Sequence, residues 1–455
     1  MWAFIQIEEV FRLISLPMLE ALKTLLEQKR YSEALFLSGS LEKSQASQAL
    51  FHLYRGVAAL ELRQLDFAGI CFSKAIELDE KLVASYKNLA LVYYLKKDPR
   101  AFSQLLLSNW LDPLDPQTYS LLLKNHSPVY PDADVVFYTA SPYWNLDISP
   151  EALQKKGLGG SETAFVQMAQ ELSRLGKRVV CFCSVPERKI YDAVEYIPVV
   201  EFFLFNHLKR VKNFVSSRFA YPFQVKVNAE KTFLWLHDMD GVVDETSPFD
   251  WGRIDHCLAL SDYQIDHLVR QKNYPKEKFL KVKNGFFADL FVAPSSETTR
   301  IRHSLIYFSR PSRGLAQAIE VLRSLRQKNP DAQLYVCSYT VKENIQDDPD
   351  MQYLMSLKNE PGVKVLGSLN KSELAQLLMQ MELCLYPNTS HLETFCIVAI
   401  EAMAAGVPVI SSDRGALPET VCEGEGGKII PYTEDHLLIE RLAEECLALL
   451  QDKQE

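Results

Sequence analysis

The chain has 455 residues, of which 47% are hydrophobic and 24% charged, so it has the composition of a soluble globular protein of two or three domains. Its formal net charge of −9 argues against a broad nucleic-acid-binding surface. The nine cysteines are scattered, with no Cys-x-x-Cys pair, which favours reduced core residues in a cytoplasmic protein over a disulfide framework or a zinc site.

The first 17 residues, "MWAFIQIEEVFRLISLP", are apolar but too short to span a membrane. They fit either an ordinary packing helix or a helix lying on a membrane surface. Glu8 and Glu9 would face anionic lipid badly, which favours the packing helix and leaves peripheral membrane contact as the alternative.

Residues 1–127 carry an internal repeat. Small residues recur at spacings of 34 and 33, at Ala34, Ala68 and Ala101. The middle unit adds Gly56, Phe72 and Ala75. This pattern resembles a short tetratricopeptide-like array, an all-α solenoid of stacked helix pairs. We expect a self-contained solenoid joined to the rest through "NHSPVYPDAD", serving either as a groove for a protein or glycan acceptor or as a packing module.

After that linker the sequence alternates between β-rich apolar runs and helical patterns. Two successive series of such runs, beginning with "DVVFYTA" and "LIYFS", predict two doubly wound, Rossmann-like α/β domains over residues 128–290 and 291–455. Ligands of such sheets bind at the carboxyl ends of the strands, so we expect a binding cleft between the two domains.

Two loops offer anion-binding chemistry. In "KKGLGGSETAF", Gly159 and Gly160 precede a helix whose free amide groups suit a phosphate, although a Gly-Gly pair before a helix more often forms a tight turn. In "LIYFSRPSRGLAQ", Arg310 and Arg313 follow a strand, and their planar guanidinium groups suit phosphate oxygens. Solvated loop arginines are the alternative.

Two carboxylates stand in "HLETFCIVAIEAMAAGVPVI". The apolar pattern predicts a helix over 395–405, which leaves Glu393 in the preceding loop and places Glu401 within the helix. Glu401 can accept both hydrogen bonds of a ribose diol, and Glu393 can face a sugar. The alternative is that one of them pairs with a nearby arginine such as Arg414.

These glutamates and the "AMAAGVPVISSDRGALPE" that follows resemble the signature of group 1 (family 4-like) retaining glycosyltransferases of the GT-B fold. The resemblance covers about residues 133–450, with "WLHD", "KVKNGF" and "GGKIIPY" in the family order. It implies an acceptor-side first domain and a nucleotide-sugar donor domain second.

The resemblance also implies roles for individual residues. His237, Glu393 and Arg313 would act in catalysis. The donor-binding set would be Gly159, Gly160, Arg310, Arg313, Glu393, Phe395, Cys396 and Glu401. Three departures stand out: Arg310 and Arg313 are closer together than in the family, Cys396 replaces the usual glycine, and the last helices that cross back onto the first domain are expected to be short or missing.

The expected function is therefore metal-independent, cofactor-free retaining transfer of a sugar from a nucleotide-diphosphate sugar to a protein, lipid-linked or polysaccharide acceptor. Asp238 and Asp240 in "HDMD" are read as a strand end and loop rather than a metal site. A binding scaffold with a degenerate transferase domain stays open as the alternative, and an epimerase fits the paired glutamates less well. The basic segment 202–227 is expected to be a solvated helix followed by a strand, or else a contact for an anionic lipid or acceptor.

Overall fold

The computed structural model describes residues 18–45, 47–125, 128–140, 148–151, 159–242, 249–291, 299–338, 348–421 and 424–451. Three parts follow one another along the chain: a helical array, a first α/β domain and a second α/β domain. The opening segment 1–17 lies outside the described residues. In the ranges above, none of the helices combines the length and apolar composition needed to cross a membrane.

The helical array contains seven helices within the described residues. They are α1 (18–27), α2 (Tyr31–Gln45), α3 (Ala49–Glu61), α4 (Leu65–Leu78), α5 (Val83–Leu95), α6 (Arg100–Leu111) and α7 (Pro116–Asn125). Small residues let successive helices approach closely. A Cβ atom at Gly56 of α3 would lie 2.6 Å from Cε1 of Phe72 in α4, so only glycine fits at this crossing.

The last two helices of the array share a hydrophobic core with the first α/β domain. Leu105, Leu106 and Leu122 are buried in the same cluster as Phe203 and Tyr221 of that domain. The Tyr221 hydroxyl also donates a hydrogen bond to the Trp110 carbonyl at the end of α6. The expectation of a self-contained solenoid is therefore wrong, because its C-terminal end completes the core of the next domain.

The first α/β domain is built on an eight-stranded sheet of order β3-β4-β2-β1-β5-β6-β7-β8. Its strands are β1 (Val135–Thr139), β2 (Val179–Cys183), β3 (Lys189–Tyr191), β4 (Val194–Pro198), β5 (Val211–Ser217), β6 (Ala229–Trp235), β7 (His256–Ala259) and β8 (Phe279–Lys281). All pairs are parallel except β3 with β4. The helices are α8 (Gly160–Arg174), α9 (Phe202–Leu208) and α10 (Asp262–Lys272).

The second α/β domain has a six-stranded parallel sheet of order β11-β10-β9-β12-β13-β14. Its strands are β9 (Ser304–Tyr307), β10 (Gln333–Cys337), β11 (Val363–Gly367), β12 (Leu383–Tyr386), β13 (Val409–Ser412) and β14 (Gly427–Ile430). Its helices are α11 (Leu315–Lys328), α12 (Pro349–Ser356), α13 (Lys371–Leu378), α14 (Ile397–Ala404), α15 (Leu417–Thr420) and α16 (Asp435–Gln451). The doubly wound fold predicted for both domains is confirmed.

The basic segment 202–227 differs from its sequence expectation. Helix α9 is not solvated, since Phe202, Phe203, Leu204 and Phe205 are all buried. Three cations of this segment pair with carboxylates: Lys209 with Asp132, Arg210 with Glu230 and Lys212 with Asp134. This pairing neutralises much of the charge that an anionic lipid would contact.

Candidate active site

The carboxyl ends of the two sheets face each other, and side chains join them. Thr394 of the second domain donates from Oγ1 to the carbonyl oxygen of His237, which follows β6 of the first domain, at 2.9 Å. Farther along, the Glu419 carboxylate accepts the backbone N–H groups of Asp262 and Tyr263 at 2.9 and 2.6 Å, in the first turn of α10. The loop that carries Glu393 is thereby held against the first domain.

Glu393 is a buried carboxylate fixed by two side chains. Its Oε1 accepts a hydrogen bond from the Tyr386 hydroxyl at 2.5 Å and another from Arg313 Nη1 at 3.1 Å. Its backbone pairs with Gly415, where a Cβ atom would lie 2.3 Å from the Glu393 nitrogen. Burial and the Glu393 charge raise the pKa of Tyr386 well above its usual range, so this phenol acts as a hydrogen-bond donor.

The Arg313 loop is shaped by a glycine. Gly314 has a φ of 111°, and a Cβ atom there would lie 2.5 Å from the Pro387 carbonyl oxygen, so the loop after β9 packs directly on the end of β12. This contact places Arg313 beside Glu393. Arg310 instead donates from Nε to Asp350 at 3.2 Å, and it therefore takes part in an ion pair with α12.

Glu401 lies in the second turn of α14, as the sequence pattern predicted, with Glu393 in the loop before it. It is buried, and its Oε1 accepts a hydrogen bond from Lys371 Nζ at 2.5 Å. Lys371 is the first residue of α13, which begins just after β11. The partner of Glu401 is therefore a lysine that the sequence analysis did not single out, and not Arg414.

His237 supplies a neutral imidazole to the first-domain side of the cleft. Its ring is buried, lies 4.5 Å from the Trp235 ring between centroids, and has no hydrogen-bond partner on Nδ1 or Nε2 in the described parts of the chain. Burial, followed by the nearby Arg218 charge, lowers the pKa of His237 to about 3. Two buried nitrogens without partners are costly unless a ligand satisfies them.

An ion network next to His237, in which Arg218 and Glu162 are largely buried and Asp238 is partly exposed, was missed by the sequence analysis. Arg218 donates to both oxygens of Asp238, at 2.8 and 3.2 Å, and to Glu162 at 2.8 Å. It adopts a left-handed conformation with φ of 69°. In the sequence Arg218 is one of several cations in a basic segment, and no local pattern distinguishes it. Burial and then the Arg313 charge lower the pKa of His391 across the cleft, against smaller raising effects of Glu393 and Asp238.

The glycine loop meets the second domain through Gly160. A Cβ atom there would lie 3.4 Å from Cδ1 of Ile397, the first residue of α14, so the amino-terminal ends of α8 and α14 approach each other. At Gly159 a Cβ atom would lie 2.4 Å from Glu162 Oε2. The Glu162 carboxylate thus covers the start of α8, where an anion was expected.

Phe395 and Cys396 both have buried side chains. Phe395 packs into a cluster of first-domain residues that includes Phe137 and Trp235, so its side chain joins the domains instead of facing a donor. Cys396 caps α14 with φ of 75°, the left-handed region that glycine adopts without strain. Burial raises the pKa of its thiol well above the usual range, so the thiol is unreactive in this conformation.

Residues 305–454 match the model of the family glycosyl transferases group 1. The match covers about a third of the chain, the part that forms the second α/β domain. The matched residues include Arg313, Glu393 and Glu401, whose contacts form the second-domain side of the cleft.

Curated relatives match the chain over only part of their own length. A phosphatidyl-myo-inositol mannosyltransferase of Mycobacterium tuberculosis is 28% identical over 178 residues, which cover 38% of this chain and 45% of the relative. A glycogen synthase of Mycobacterium tuberculosis is 32% identical over 125 residues, covering 27% of this chain and 29% of the relative. The chain thus spans less than half the length of these relatives.

Among solved structures, a sucrose-phosphate synthase from Thermosynechococcus elongatus aligns with a TM-score of 0.50 and 16% identity, covering 70% of this chain and 94% of that one. The likeness shows the fold: two Rossmann-like domains in the GT-B arrangement. Within the described ranges, no group of three or more His, Cys, Asp or Glu side chains is placed to hold a metal ion.

Proposed function

We propose that this protein is a retaining glycosyltransferase that moves a sugar from a nucleotide-diphosphate sugar to a hydroxyl-bearing protein, lipid-linked or polysaccharide acceptor. The observation that carries the proposal is the Arg313–Glu393 pair, which lies beside the contact between Thr394 of the same loop and the His237 carbonyl of the first domain. A fixed cation and a fixed carboxylate thus lie next to the interdomain contact at His237, in the region where ligands of such sheets bind.

The donor would lie on the second domain. Arg313 has a side chain that is 37% exposed, so it can reach a diphosphate while its partner Glu393 stays buried. Developing negative charge on the leaving diphosphate needs fixed positive groups, and a guanidinium with five N–H donors provides them. The amino-terminal end of α14 follows Glu393 by a few residues, and its free amides would add to this positive field. Glu401 would accept hydrogen bonds from the donor ribose.

The reaction breaks the bond between the sugar C1 and the diphosphate oxygen and forms a bond from C1 to the acceptor oxygen on the same face. The acceptor proton passes to the leaving diphosphate oxygen, so the products are a glycoside and a nucleoside diphosphate. His237 would act as a neutral hydrogen-bonding group, because its pKa of about 3 leaves the ring uncharged near neutral pH. Glu393 would orient the transferred sugar and offset the positive charge that develops at C1.

The test begins with thermal shifts against UDP, GDP, ADP and their sugars, with and without chelator. The nucleotide that stabilises the protein is then used as its sugar in a transfer and hydrolysis assay. We expect stabilisation that survives chelation, and a fall in turnover of about 100-fold or more in Arg313→Ala and Glu393→Gln, the scale seen when a transition-state donor is removed.

The matched control is Arg323→Ala. Arg323 belongs to the same domain and also pairs with glutamates, Glu360 and Glu320, but it lies on the surface of α11. It should leave turnover unchanged. Absence of nucleotide binding across the whole panel would instead favour the scaffold alternative, and a strict dependence on added Mn²⁺ or Mg²⁺ would refute the metal-independent mechanism.

A further inference from the structure

The contact between Lys371 and Glu401 has no role in the function proposed above. Glu401 is only 5% exposed, and Lys371 Nζ lies 2.5 Å from its Oε1. The other carboxylate oxygen, Oε2, has no hydrogen-bond partner in the described parts of the chain. The two residues come from different helices, α13 and α14, so the tertiary fold creates the pair.

The pair combines donor and acceptor chemistry at one place. A lysine ammonium carries three N–H donors, and one of them is used on Oε1 of Glu401. A carboxylate oxygen only accepts hydrogen bonds, whereas an ammonium only donates them. The adjacent hydroxyls of a ribose can each donate and accept. One of them can therefore donate to Oε2 while its neighbour accepts from Lys371.

We propose that Lys371 is a second ribose ligand and shares recognition of the diol with Glu401. This inference rests on the proposed function, since it requires a nucleotide in the cleft. Glu401 alone would take both hydroxyls in the same way. The Lys371 contact makes the two hydroxyls chemically distinct, because one meets an acceptor and the other a donor.

Burial is the reason that the pair persists when a nucleotide binds. A buried carboxylate that loses its charged partner is strongly destabilised, and neutral hydroxyl groups compensate only part of that loss. A ligand that displaced the ammonium would therefore bind against this cost. A ligand that adds to the pair, using Oε2 and the remaining N–H donors, avoids it. Lys371 reaches the site from the rim, with a side chain 31% exposed, so its head group is accessible to a ligand.

The experiment compares a nucleoside diphosphate with its 2′-deoxy and 3′-deoxy counterparts by calorimetry. The base is the one that stabilises the wild-type protein among UDP, GDP and ADP. The proteins are wild type, Lys371→Met, Lys371→Arg and the control Lys428→Met. Lys428 also pairs with a glutamate of the second domain, Glu445, on the C-terminal helix α16.

In the wild type we expect each deoxy nucleotide to bind about tenfold or more weakly than the ribonucleotide, the scale of a hydrogen bond to a charged group. Lys371→Met should weaken binding of the ribonucleotide by about 10- to 100-fold. The variant should no longer discriminate against one of the two deoxy analogues, but it should still discriminate against the other. Lys371→Arg should retain both discriminations, and Lys428→Met should match the wild type.

Unchanged or tighter ribonucleotide binding in Lys371→Met, with both discriminations intact, would overturn the inference and leave Lys371 as a neutralising partner of Glu401. Loss of both discriminations together would also overturn it, because Lys371 would then act only by holding Glu401. Binding to wild type by none of the three ribonucleotides refutes the proposed function itself. Thermal unfolding of each variant verifies that it is folded.

Discussion

Deleting residues 1–127 should unfold the first α/β domain. The cut removes α6 and α7, and with them Leu105, Leu106 and Leu122, which are buried in the cluster shared with the first α/β domain. The deletion would leave Phe203 and Tyr221 on the other side of that contact exposed to water. The tetratricopeptide-like pattern alone would have predicted an independent transferase.

The magnitude follows from the buried leucines. Each fully buried leucine side chain contributes about 1.5–3 kcal/mol, so three contribute about 5–9 kcal/mol. A whole domain is stable by only about 5–15 kcal/mol. The loss is therefore comparable with the entire stability of the first domain. A single substitution, Leu122→Ala, should cost about 2–5 kcal/mol on the same basis.

The matched control is a shorter deletion, of residues 1–47. It removes α1 and α2, whose cluster of Leu22, Ala34 and Leu41 with α3 contains no residue of the first α/β domain. This variant should stay folded and bind nucleotide with wild-type affinity. The assays are thermal denaturation by circular dichroism and nucleotide binding by calorimetry. An ellipticity and a melting temperature that show both α/β domains still folded after deletion of residues 1–127 would refute the reasoning.

Three further predictions concern the cleft. The pKa of His237 is about 3 in the folded state and about 6.5 in the unfolded chain. Between these values only the unfolded chain protonates His237, so stability falls as pH drops below ~6.5. On moving from neutral pH to pH ~5.5, wild type should therefore lose about 1.4 kcal/mol of unfolding free energy that His237→Phe does not lose, measured by urea denaturation. Equal pH dependence of the two proteins would contradict the lowered pKa. Cys396→Gly should be tolerated within about 1 kcal/mol, whereas Cys396→Val should cost about 2 kcal/mol or more because a β-branched residue is strained at this φ; equal melting temperatures would exclude that strain. Glu419→Ala removes the cap on α10 and should weaken the contact between the two α/β domains by about 1 kcal/mol. X-ray scattering should then give a larger radius of gyration. An unchanged radius would show that the cap does not hold the domains together.

The strands of both sheets were predictable because they are buried on both faces and read as short apolar runs. The run "VVCFC" became β2, in which every residue is buried. Strands β3, β4, β8 and β14 were not predicted. Of these, β3 and β8 have only three residues each and no fully buried residue, so they do not form apolar runs. The helix α9 was interpreted as solvated because its neighbours are basic, yet its own side chains face the core shared with the array.

The candidate site was predictable only where a local pattern carries it. The positions of Glu393 in a loop and Glu401 in a helix follow from the apolar period of α14. Their partners could not be predicted from this period, because Lys371 lies 30 residues from Glu401 and Arg313 lies 80 residues from Glu393. The same holds for Arg218, which reaches Glu162 across 56 residues. Such pairs depend on strand order, which sequence periodicity does not encode.

The shared core also has a consequence for the order in which the chain is made. Ribosomal synthesis proceeds from the amino terminus, so α6 and α7 emerge before any strand of the first sheet. Their apolar face has no covering until α9 and the segment around Tyr221 have been synthesised, about a hundred residues later at about 5–20 residues per second. For several seconds the nascent chain therefore presents a leucine-rich surface to the cell. Chaperone binding at this stage would protect the part of the array that later supports the cleft.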